Sequence, residues 1–286
     1  MKAIIIAAGY GTRFLPVTKT IPKEMLPLVD KPSIDFILDE FEASGITDVL
    51  IVSSRRKKSL EDYLDREVEL ESVFDQQQAV SKLQKIKTRK LNLAFVRQQE
   101  MKGTGDALLT ALPWIGHDPV IVAYPDDIHI GEEPLTLQLI KAHQQYQATI
   151  LAVIENPPHL ERYGVVAWEP GSHKIKDIVE KPALGKEPSK SASIGRYLYT
   201  PDFFDALKES YRNHQEGEFY HIGALKVLMN QGRVFGVKIS GERRDTGDPL
   251  GYIEAFLHHA LGRKELRAET LKIMKILYEK YAESSE

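Results

Sequence analysis

Residues 3–30 read AIIIAAGYGTRFLPVTKTIPKEMLPLVD, and this stretch is the most informative part of the chain. The apolar run 3–7 predicts a buried strand, which leads into a loop with two glycines. Glycine lets a backbone turn tightly, and N–H groups that converge in such a loop form a concave site for anions. Arg13 and Lys23 add positive charge beyond the glycines. A strand that carries these groups at its carboxyl end predicts a site for a polyphosphate.

Two common phosphate motifs do not fit this loop. The dinucleotide pattern GxGxxG would need a glycine where Phe14 stands, which disfavours a nicotinamide-dependent oxidoreductase, and the P-loop pattern GxxxxGK[ST] is absent. A plain glycine-rich turn after a buried strand is the alternative interpretation. The segment PKEMLPLVDKP that follows holds three prolines and four charged residues, so it is too constrained to be an ordinary linker.

The segment from Ala8 to Pro32 resembles the signature of the sugar-1-phosphate nucleotidylyltransferases. It is most similar to the bacterial UTP–glucose-1-phosphate uridylyltransferases, whose pattern AGxGTRxLPxTKxxPKEMLPxxDKP it meets at every fixed position. The resemblance extends over about residues 2–260. It implies an α/β, Rossmann-like fold of the nucleotide-diphospho-sugar transferase type. In that fold a mixed, mostly parallel sheet is flanked by helices and has a sugar-binding second half.

Composition narrows the class of protein. The 286 residues are 42% hydrophobic, which supports a sizeable core, and the net charge of −3 disfavours a nonspecific nucleic-acid binder. The sequence has no cysteine, so disulfides and thiolate catalysis are excluded. No apolar run reaches the roughly 18 residues of a membrane span, and no signal-type segment is evident. We therefore expect a cytoplasmic protein with no membrane partner.

Strand-like and helix-like patterns alternate along the first half of the chain. Ile34 and Phe41 belong to a helical repeat that starts near Pro32 and stops before Gly45. Such alternation predicts a mostly parallel sheet covered on both faces, with ligands at the carboxyl ends of its strands. Strands are predicted at 2–7, 48–53, 91–96, 119–124, 149–154, 165–168, 175–179, 193–199 and 233–239, with a helical excursion over 55–90.

The predicted organisation is a single domain over residues 1–263. Its nucleotide-binding part covers about 1–155, and its sugar-phosphate-binding part covers about 156–263. Residues 264–286 are predicted to form a terminal helix. Ile273 and Leu277 lie on its apolar face, and this stripe would pack on its own domain or on another subunit.

Two acidic motifs are candidates for metal binding. Asp126 and Asp127 follow an apolar run, and Asp245 opens the motif DTGDPLGYIEAF. Adjacent carboxylates repel unless a cation is near, and Mg²⁺ prefers one or two carboxylates with phosphate oxygens. Taken alone, the first motif could be a polar turn and the second could cap a helix. The resemblance implies that Asp126 and Asp245 hold the catalytic Mg²⁺.

The resemblance also assigns roles to three cations. Transfer of a nucleotidyl group builds charge on the α-phosphorus and on the departing pyrophosphate, so cationic side chains suit this site. Arg13 is implied to contact the pyrophosphate, Lys23 the phosphates at the reacting centre, and Lys181 the sugar phosphate. Glu180 would accept hydrogen bonds from sugar hydroxyls, while Gly164 lets the sugar lie against backbone. A strand-end ion pair is the alternative for Glu180 and Lys181.

Recognition of the base is implied at Gln98 and Gly103. An amide side chain offers both a donor and an acceptor, which suits the imide edge of a uracil or thymine. Without the resemblance, Gln98 would be a polar surface residue after a strand. The remaining implied nucleotide contacts are Ala7, Ala8, Gly9, Gly11, Thr12 and Asp126.

The chain departs from the family pattern in three places. Residues 103–107 read GTGDA where the uridylyltransferases usually show GLGHA, and Tyr124 replaces the leucine of LPDD. Residues 217–225 read GEFYHIGAL where the family has GDEIQLTDA, a segment that contributes a sugar-contacting acid, and only Gly217 and Glu218 keep the pattern. The phosphate and magnesium positions are intact, whereas the identity of the sugar stays open.

The sequence thus predicts an enzyme that joins UTP to α-D-glucose 1-phosphate, with Mg²⁺ as cofactor. Other pairings, dTTP with glucose 1-phosphate or UTP with an N-acetylhexosamine 1-phosphate, are alternatives. A non-catalytic module that senses nucleotides or sugars is another, although it would be expected to lack magnesium or lysine positions. Relatives commonly form homodimers or homotetramers, so we expect one of these states.

Overall fold

The computed structural model describes residues 1–282, which build the predicted α/β fold. The strands are β1 Lys2–Ile6, β2 Pro27–Leu28, β3 Lys31–Pro32, β4 Asp48–Ser53, β5 Asn92–Arg97, β6 Val120–Ala123, β7 Asp127–Ile130, β8 Thr149–Glu155, β9 Gly164–Trp168, β10 Ile175–Glu180, β11 Ser191–Tyr199, β12 Val234–Lys238 and β13 Glu242–Asp245. The helices are α1 Ser33–Ala43, α2 Lys58–Leu64, α3 Val68–Gln76, α4 Val80–Lys85, α5 Thr104–Ile115, α6 Leu135–Tyr146, α7 Pro201–Arg212, α8 Ile222–Asn230, α9 Pro249–Gly262 and α10 Lys264–Ala282.

Nine of these strands form one mixed sheet in the order β10-β9-β11-β6-β1-β4-β5, with β8 and β12 attached at β11. Strands β1, β4, β5, β6, β8, β9 and β12 run in one direction, and β10 and β11 run against them. The prediction of a mostly parallel sheet is therefore confirmed. The nine predicted strands agree with the observed ones to within two residues at each end.

Helices cover both faces of the sheet, and successive residues of β1 pack into two different hydrophobic cores, one on each face. Ile4 and Ile6 belong to the core under α5, α7 and α8, whereas Ala3 and Ile5 belong to the core under α1 and α6. Such burial on both faces explains why β1 is a continuous apolar run rather than an alternating one.

The sheet splits along one edge of β11, and this split positions the site. Strand β6 pairs with Arg196–Tyr199 of β11, while β9 pairs with the earlier residues Ala192 and Ser193. Strand β8 occupies the opposite edge of β11. Ile194 and Gly195 therefore lie at the fork between the carboxyl end of β6 and the start of β9.

Two short sheets were not predicted from the sequence. Strands β2 and β3 form a hairpin after the glycine loop, and β7 pairs antiparallel with β13, which places Asp127 beside Asp245. Strand β13 reads ERRD, which lacks the apolar content from which strands are inferred. Asp245 is the last residue of β13.

The remaining elements surround this framework. The excursion over 55–90 consists of α2, α3 and α4, as predicted, and the terminal helix α10 begins at Lys264. Residues 283–286 lie outside the described part of the chain. None of the described helices is long and apolar enough to cross a membrane.

Candidate active site

A cavity of about 590 Å³ opens at the fork of the sheet. Its wall is formed by residues from both halves of the chain. They are Arg13, Thr104, Tyr124, Asp126, Asp127, Arg162, Tyr163, Gly164, Ile178, Glu180, Lys181, Ser193, Ile194, Gly195, Tyr197, Tyr220, His221, Ile222, Arg243 and Asp245. The cavity therefore brings the predicted metal residues and the predicted sugar-phosphate residues together in one site.

The glycine loop lies beside this cavity. Gly11 has φ 67°, a left-handed conformation that a side chain would strain, and its carbonyl accepts a hydrogen bond of 2.7 Å from Thr18 Oγ1. Gly9 is exposed, and no heavy atom lies within 4 Å of the position a Cβ would occupy on it. Arg13 reaches from this loop to the carbonyl of Gly247, 3.2 Å away. The loop thus leaves open space over Gly9, and Arg13 links the loop to the cavity.

A buried ion pair holds the segment that follows the loop. Glu24 Oε2 accepts from Lys57 Nζ at 2.7 Å, and the two side chains are almost fully buried. A buried charge is costly without a partner, so this pair fixes the turn that carries the neighbouring Lys23. Sequence reasoning missed the pair, because nothing local connects Glu24 to a lysine in the loop after β4.

Lys23 extends from this turn to the rim of the central sheet. Its Nζ lies 2.5 Å from Asp126 Oδ2. Burial alone would lower the pKa of Lys23, but Asp126 and Glu24 outweigh it and raise that pKa. Burial likewise works against ionisation of Asp126, yet Lys23 holds its pKa below the usual value. Both groups are therefore charged near neutral pH.

Arg243 connects two further carboxylates at the same rim. It forms an ion pair with Asp127 through Nε, and its Nη2 lies 3.0 Å from Asp245 Oδ2. Its Nη1 donates to the hydroxyl of Tyr163 at 2.8 Å. Burial raises the pKa of Asp127. The negative charges of Asp126 and Asp245 raise this pKa further, whereas Arg243 lowers it. Arg243 is a site residue that sequence reasoning missed, although its place two residues before the DTGD motif was a usable signal.

The two predicted metal ligands converge beside Gly247. A Cβ built on this glycine would lie 2.6 Å from Asp126 Oδ2 and 3.0 Å from Asp245 Oδ1, so the glycine keeps the gap between the carboxylates clear. Among residues 1–282, no three or more acidic, histidine or cysteine side chains are arranged to hold a metal. Two carboxylates that leave the other positions to phosphate oxygens and water suit Mg²⁺. The residues present therefore fit this ion.

Gly164, Glu180 and Lys181 come together in another part of the cavity wall. Gly164 pairs with Glu180 across β9 and β10, and a Cβ on Gly164 would lie only 3.0 Å from Glu180 Oε2. Lys181 has φ 45°, a left-handed conformation that is uncommon for a residue with a side chain, and its N–H donates to the Tyr163 carbonyl at 2.9 Å. Such conformations are enriched at functional sites.

Gln98 is buried next to the start of α5. Its Nε2 donates to the Gly103 carbonyl at 3.1 Å and to Asp106 Oδ2 at 2.7 Å. Because both partners are acceptors, the amide nitrogen must be the atom that faces them. The donor that sequence reasoning offered to a base is thus engaged within the protein, and the amide carbonyl is the atom that can accept from a ligand.

Comparisons with known proteins place this arrangement in a family. The nucleotidyl transferase family model matches residues 2–260. The chain belongs to the nucleotidyl transferase family. A curated relative from Staphylococcus haemolyticus, UTP–glucose-1-phosphate uridylyltransferase, is 37% identical, and the match covers 96% of this chain and 98% of the relative.

Solved structures of similar transferases agree with this assignment. A UTP-bound UGPase from Acinetobacter baumannii superposes with a TM-score of 0.85 at 30% identity, over 96% of this chain and 98% of that one. A UDP-glucose pyrophosphorylase complexed with UDP-glucose gives a TM-score of 0.79 at 38% identity, over 92% and 99%. The recognition made from the opening motif is therefore confirmed.

Of the four residues predicted to bind the sugar phosphate, Glu218 is the one that does not lie in the cavity wall. Glu218 is exposed, and it accepts a hydrogen bond from the hydroxyl of Tyr220. Tyr220 and His221, which follow it, line the cavity instead. The segment 217–225 therefore contributes to the site through residues that its family pattern does not contain.

Arg196 has a structural place in this transferase. It is fully buried and donates to Glu40, from Nε at 3.1 Å and from Nη2 at 2.9 Å. Glu40 also accepts from the backbone N–H of Thr136 at 2.9 Å. The pair ties α1 and α6 to β11 beneath the fork of the sheet.

Proposed function

We propose that this transferase joins UTP to α-D-glucose 1-phosphate and releases UDP-glucose and pyrophosphate, with Mg²⁺ as cofactor. One observation carries the proposal: a single cavity unites the Asp126–Asp245 carboxylate pair with Glu180 and Lys181, and Lys23 contacts that carboxylate pair from the side of the glycine loop. Relatives named for this reaction, and a structure of a relative with UDP-glucose, support the substrates.

The reaction needs alignment and charge compensation rather than a protein nucleophile. A phosphate oxygen of the sugar phosphate attacks the α-phosphorus of UTP, and the bond from that phosphorus to the bridging oxygen of pyrophosphate breaks. Because the new and the broken bond are both P–O bonds, no oxidant or extra proton is required. Direct in-line displacement is the simplest path in a site that holds both reactants.

The cations of the chain are placed to balance the charge that develops. Lys23 lies at the metal end beside Asp126, where it compensates charge at the α-phosphoryl group. Arg13 extends from the glycine loop toward Gly247, which suits the departing pyrophosphate. Lys181, next to Glu180, lines the same cavity and suits the phosphate of the sugar.

Asp126 and Asp245 would hold Mg²⁺, and Arg243 orients Asp245. When bound, Mg²⁺ supplies Lewis-acid stabilisation of the negative charge on the phosphate oxygens. Lys23 and Arg243 compensate the carboxylates in the described structure, so these two cations keep the acidic pair from repelling. The glycine loop, with its open space at Gly9, would receive the remaining phosphates and the ribose through residues 7–12.

A second pairing of substrates is supported by the altered motifs. Asp106, which stands where the family shows histidine, binds the amide of Gln98 and so changes the surroundings of the base. The segment 217–225 differs along most of its length. These differences favour dTTP with glucose 1-phosphate, or UTP with an N-acetylhexosamine 1-phosphate, as the alternative pairings.

A substrate panel tests the proposal against these alternatives. Pyrophosphate release is measured with Mg²⁺ for UTP, dTTP, ATP and GTP, each with glucose 1-phosphate, galactose 1-phosphate and N-acetylglucosamine 1-phosphate. We expect kcat/KM to be highest for UTP with glucose 1-phosphate. A higher value for another pair would replace the assigned substrates, and background release across the panel would favour a sensing module.

We also propose that the transferase is a homodimer or homotetramer. Ile273 and Leu277 on α10 remain exposed in the single chain, as do Leu271, Ile276 and Tyr278. Light scattering at several protein concentrations measures the state, and a monomer throughout would contradict the proposal. The cytoplasmic location stays a prediction.

A further inference from the structure

Tyr220 differs from the other tyrosines in the wall of the cavity. Tyr124 and Tyr197 meet edge-on, with ring centroids 6.1 Å apart. The guanidinium of Arg243 lies 5.3 Å from the centre of the Tyr163 ring. Tyr220 lines the same cavity and is 53% exposed, and among residues 1–282 its ring has neither an aromatic nor a cationic neighbour of this kind. The wall therefore contains one aromatic ring that the protein itself leaves largely uncovered.

Position 220 is one at which the chain departs from the family pattern. Residues 217–225 read GEFYHIGAL where the family has GDEIQLTDA, so Tyr220 stands in place of an isoleucine. The same cavity wall contains Gly164, Glu180 and Lys181, the residues assigned to the sugar phosphate. A flat aromatic side chain thus replaces a branched aliphatic one in the wall that these residues share.

The packing of Phe219 holds the backbone that carries Tyr220. Phe219 N–H donates to the Lys102 carbonyl at 2.7 Å, and Gly105 N–H donates to the Phe219 carbonyl at 2.9 Å. The Phe219 ring is buried, and a Cβ on Gly105 would lie only 2.5 Å from it. Because both backbone groups and the ring of Phe219 are held, the next residue, Tyr220, starts from a defined position at the cavity.

The hydroxyl of Tyr220 is already engaged. It donates a hydrogen bond to the carboxylate of Glu218, which is exposed and lies outside the cavity wall. This hydrogen bond raises the pKa of Tyr220, and burial and the charges of Glu218 and Glu180 raise it further, so the phenol is neutral near pH 7. The effect of Glu180 also places the phenol within electrostatic reach of the carboxylate that is assigned to sugar hydroxyls. Because the single O–H donor is used, the part of the side chain that remains free is mainly the apolar ring.

We propose that Tyr220 is a specificity-determining residue that packs its ring against the pyranose ring of the sugar 1-phosphate. The inference rests on the proposed function, because it takes a sugar phosphate as the occupant of the cavity. A pyranose presents C–H groups on its faces, which pack on a flat aromatic ring, while the hydroxyls at its edge reach polar partners such as Glu180. The substrate class is therefore a hexopyranose 1-phosphate. A furanose 1-phosphate, whose puckered five-membered ring offers a smaller face, is disfavoured.

A matched pair of variants separates the ring of Tyr220 from its hydroxyl. Tyr220→Phe keeps the flat ring and removes the hydrogen bond to Glu218, whereas Tyr220→Ile introduces the branched side chain of the family pattern. Because Tyr220 is exposed, both variants are expected to fold, and thermal unfolding checks this. Each variant and the wild type are assayed with UTP and Mg²⁺, with α-D-glucose 1-phosphate as the pyranose and α-D-ribose 1-phosphate as the furanose.

The expected result is an effect that follows the aromatic ring. We expect Tyr220→Ile to raise the KM for glucose 1-phosphate at least about fivefold, the size expected for loss of one aromatic contact, without changing the KM for UTP. The preference for glucose 1-phosphate over ribose 1-phosphate, as a ratio of kcat/KM values, should fall by a similar factor. Tyr220→Phe should stay within about twofold of wild type. An unchanged KM in Tyr220→Ile would overturn the inference, and so would an equal rise in both variants, because it would assign the contact to the hydroxyl.

Failure of the proposed function gives a different result. Background pyrophosphate release with every sugar phosphate would contradict the transferase assignment, not the role of Tyr220. Saturation-transfer NMR in the same mixture then detects glucose 1-phosphate without turnover, through transfer from aromatic protons of the protein to the pyranose C–H protons. Transfer that is strong in wild type and Tyr220→Phe but weak in Tyr220→Ile supports the role. Equal transfer in all three proteins, or no binding of glucose 1-phosphate, overturns it.

Discussion

Lys23 Nζ lies 2.5 Å from Asp126 Oδ2, across 103 residues of sequence. This ion pair joins the turn after the glycine loop to the carboxyl end of β6. Each partner holds the other ionised against the effect of burial on its pKa. The contact places a permanent positive charge beside the carboxylate that is assigned to the metal.

Removal of this charge should slow the reaction rather than unfold the protein. We expect Lys23→Ala to lower kcat at least about a hundredfold, as loss of one stabilising group at a transition state commonly does. Steady-state pyrophosphate release is the measurement. Lys58→Ala is the control, because Lys58 is an exposed lysine outside the signature, on the helix α2 that contacts the turn of Lys23, and it should stay within about twofold of wild type. Similar rates for both variants would remove Lys23 from its role.

Asp245 should govern the response to Mg²⁺. Asp245→Ala leaves Asp126 as a single carboxylate at the gap beside Gly247, so we expect kcat to fall at least about a hundredfold and the Mg²⁺ concentration for half-maximal rate to rise. Titration of the rate with Mg²⁺ measures both.

Asp248→Asn is the control for that titration. Asp248 caps α9 by accepting from the N–H groups of Leu250 and Gly251, a role in which asparagine is equally effective. We expect its Mg²⁺ response to match wild type. An unchanged Mg²⁺ response in Asp245→Ala would show that the ion is held elsewhere.

The buried Glu24–Lys57 pair should matter for stability. Glu24→Gln leaves the Lys57 ammonium buried without a counter-charge, and we expect the free energy of unfolding to fall by about 3–5 kcal/mol. Urea unfolding is the measurement. The double variant Glu24→Met with Lys57→Met should recover most of the loss, because it buries no charge.

An exposed pair provides the comparison, and Asp205→Asn at its ion pair with Lys208 should change stability by less than about 0.5 kcal/mol. Equal effects of Glu24→Gln and Asp205→Asn would contradict the role of the buried pair.

His221 should make stability depend on pH in a defined window. The folded state holds the pKa of His221 near 4 against 6.5 for an unperturbed histidine, so the unfolded chain binds an extra proton between these values. The free energy of unfolding should therefore fall as the pH is lowered from 6.5 to 4, by up to about 3 kcal/mol.

Other groups also titrate in this range, so the difference between variants is the decisive quantity. Urea unfolding at pH 7 and pH 4.5 is compared for wild type and His221→Gln. We expect the variant to lose less stability on acidification than wild type. Equal losses would show that the imidazole can be protonated in the folded state without cost.

Much of the fold could be predicted because its signals are local. The buried run of β1 and the helical repeat of α1 each follow from a few adjacent side chains, and they fix a parallel sheet with helices on both faces. The glycine loop and the motif at Asp126 follow the parallel strands β1 and β6, so their shared rim was also predictable, whereas Glu180 ends the antiparallel strand β10. The carboxylates of Asp126 and Asp245 both lie beside Gly247, which agrees with the shared metal site that the resemblance implied. Their role in binding Mg²⁺ stays a prediction.

The missed parts depend on contacts between distant segments. Arg243 pairs with Asp127 only because β13 meets β7, and both strands are short and polar. The Gln98 amide is occupied by Asp106, which no spacing rule reveals. The contact of Thr104 with His221 spans 117 residues, so only the folded chain shows that the altered motifs form one wall.

Phosphorus NMR of the products reports the nucleotidyl transfer itself. Wild-type protein is incubated with UTP, α-D-glucose 1-phosphate and Mg²⁺, and the phosphorus signals are followed over time. We expect UDP-glucose and pyrophosphate to appear in equal amounts while both substrates disappear together. Formation of UMP or UDP without UDP-glucose, or unchanged substrate signals, would contradict the assignment of this site to nucleotidyl transfer onto a sugar phosphate.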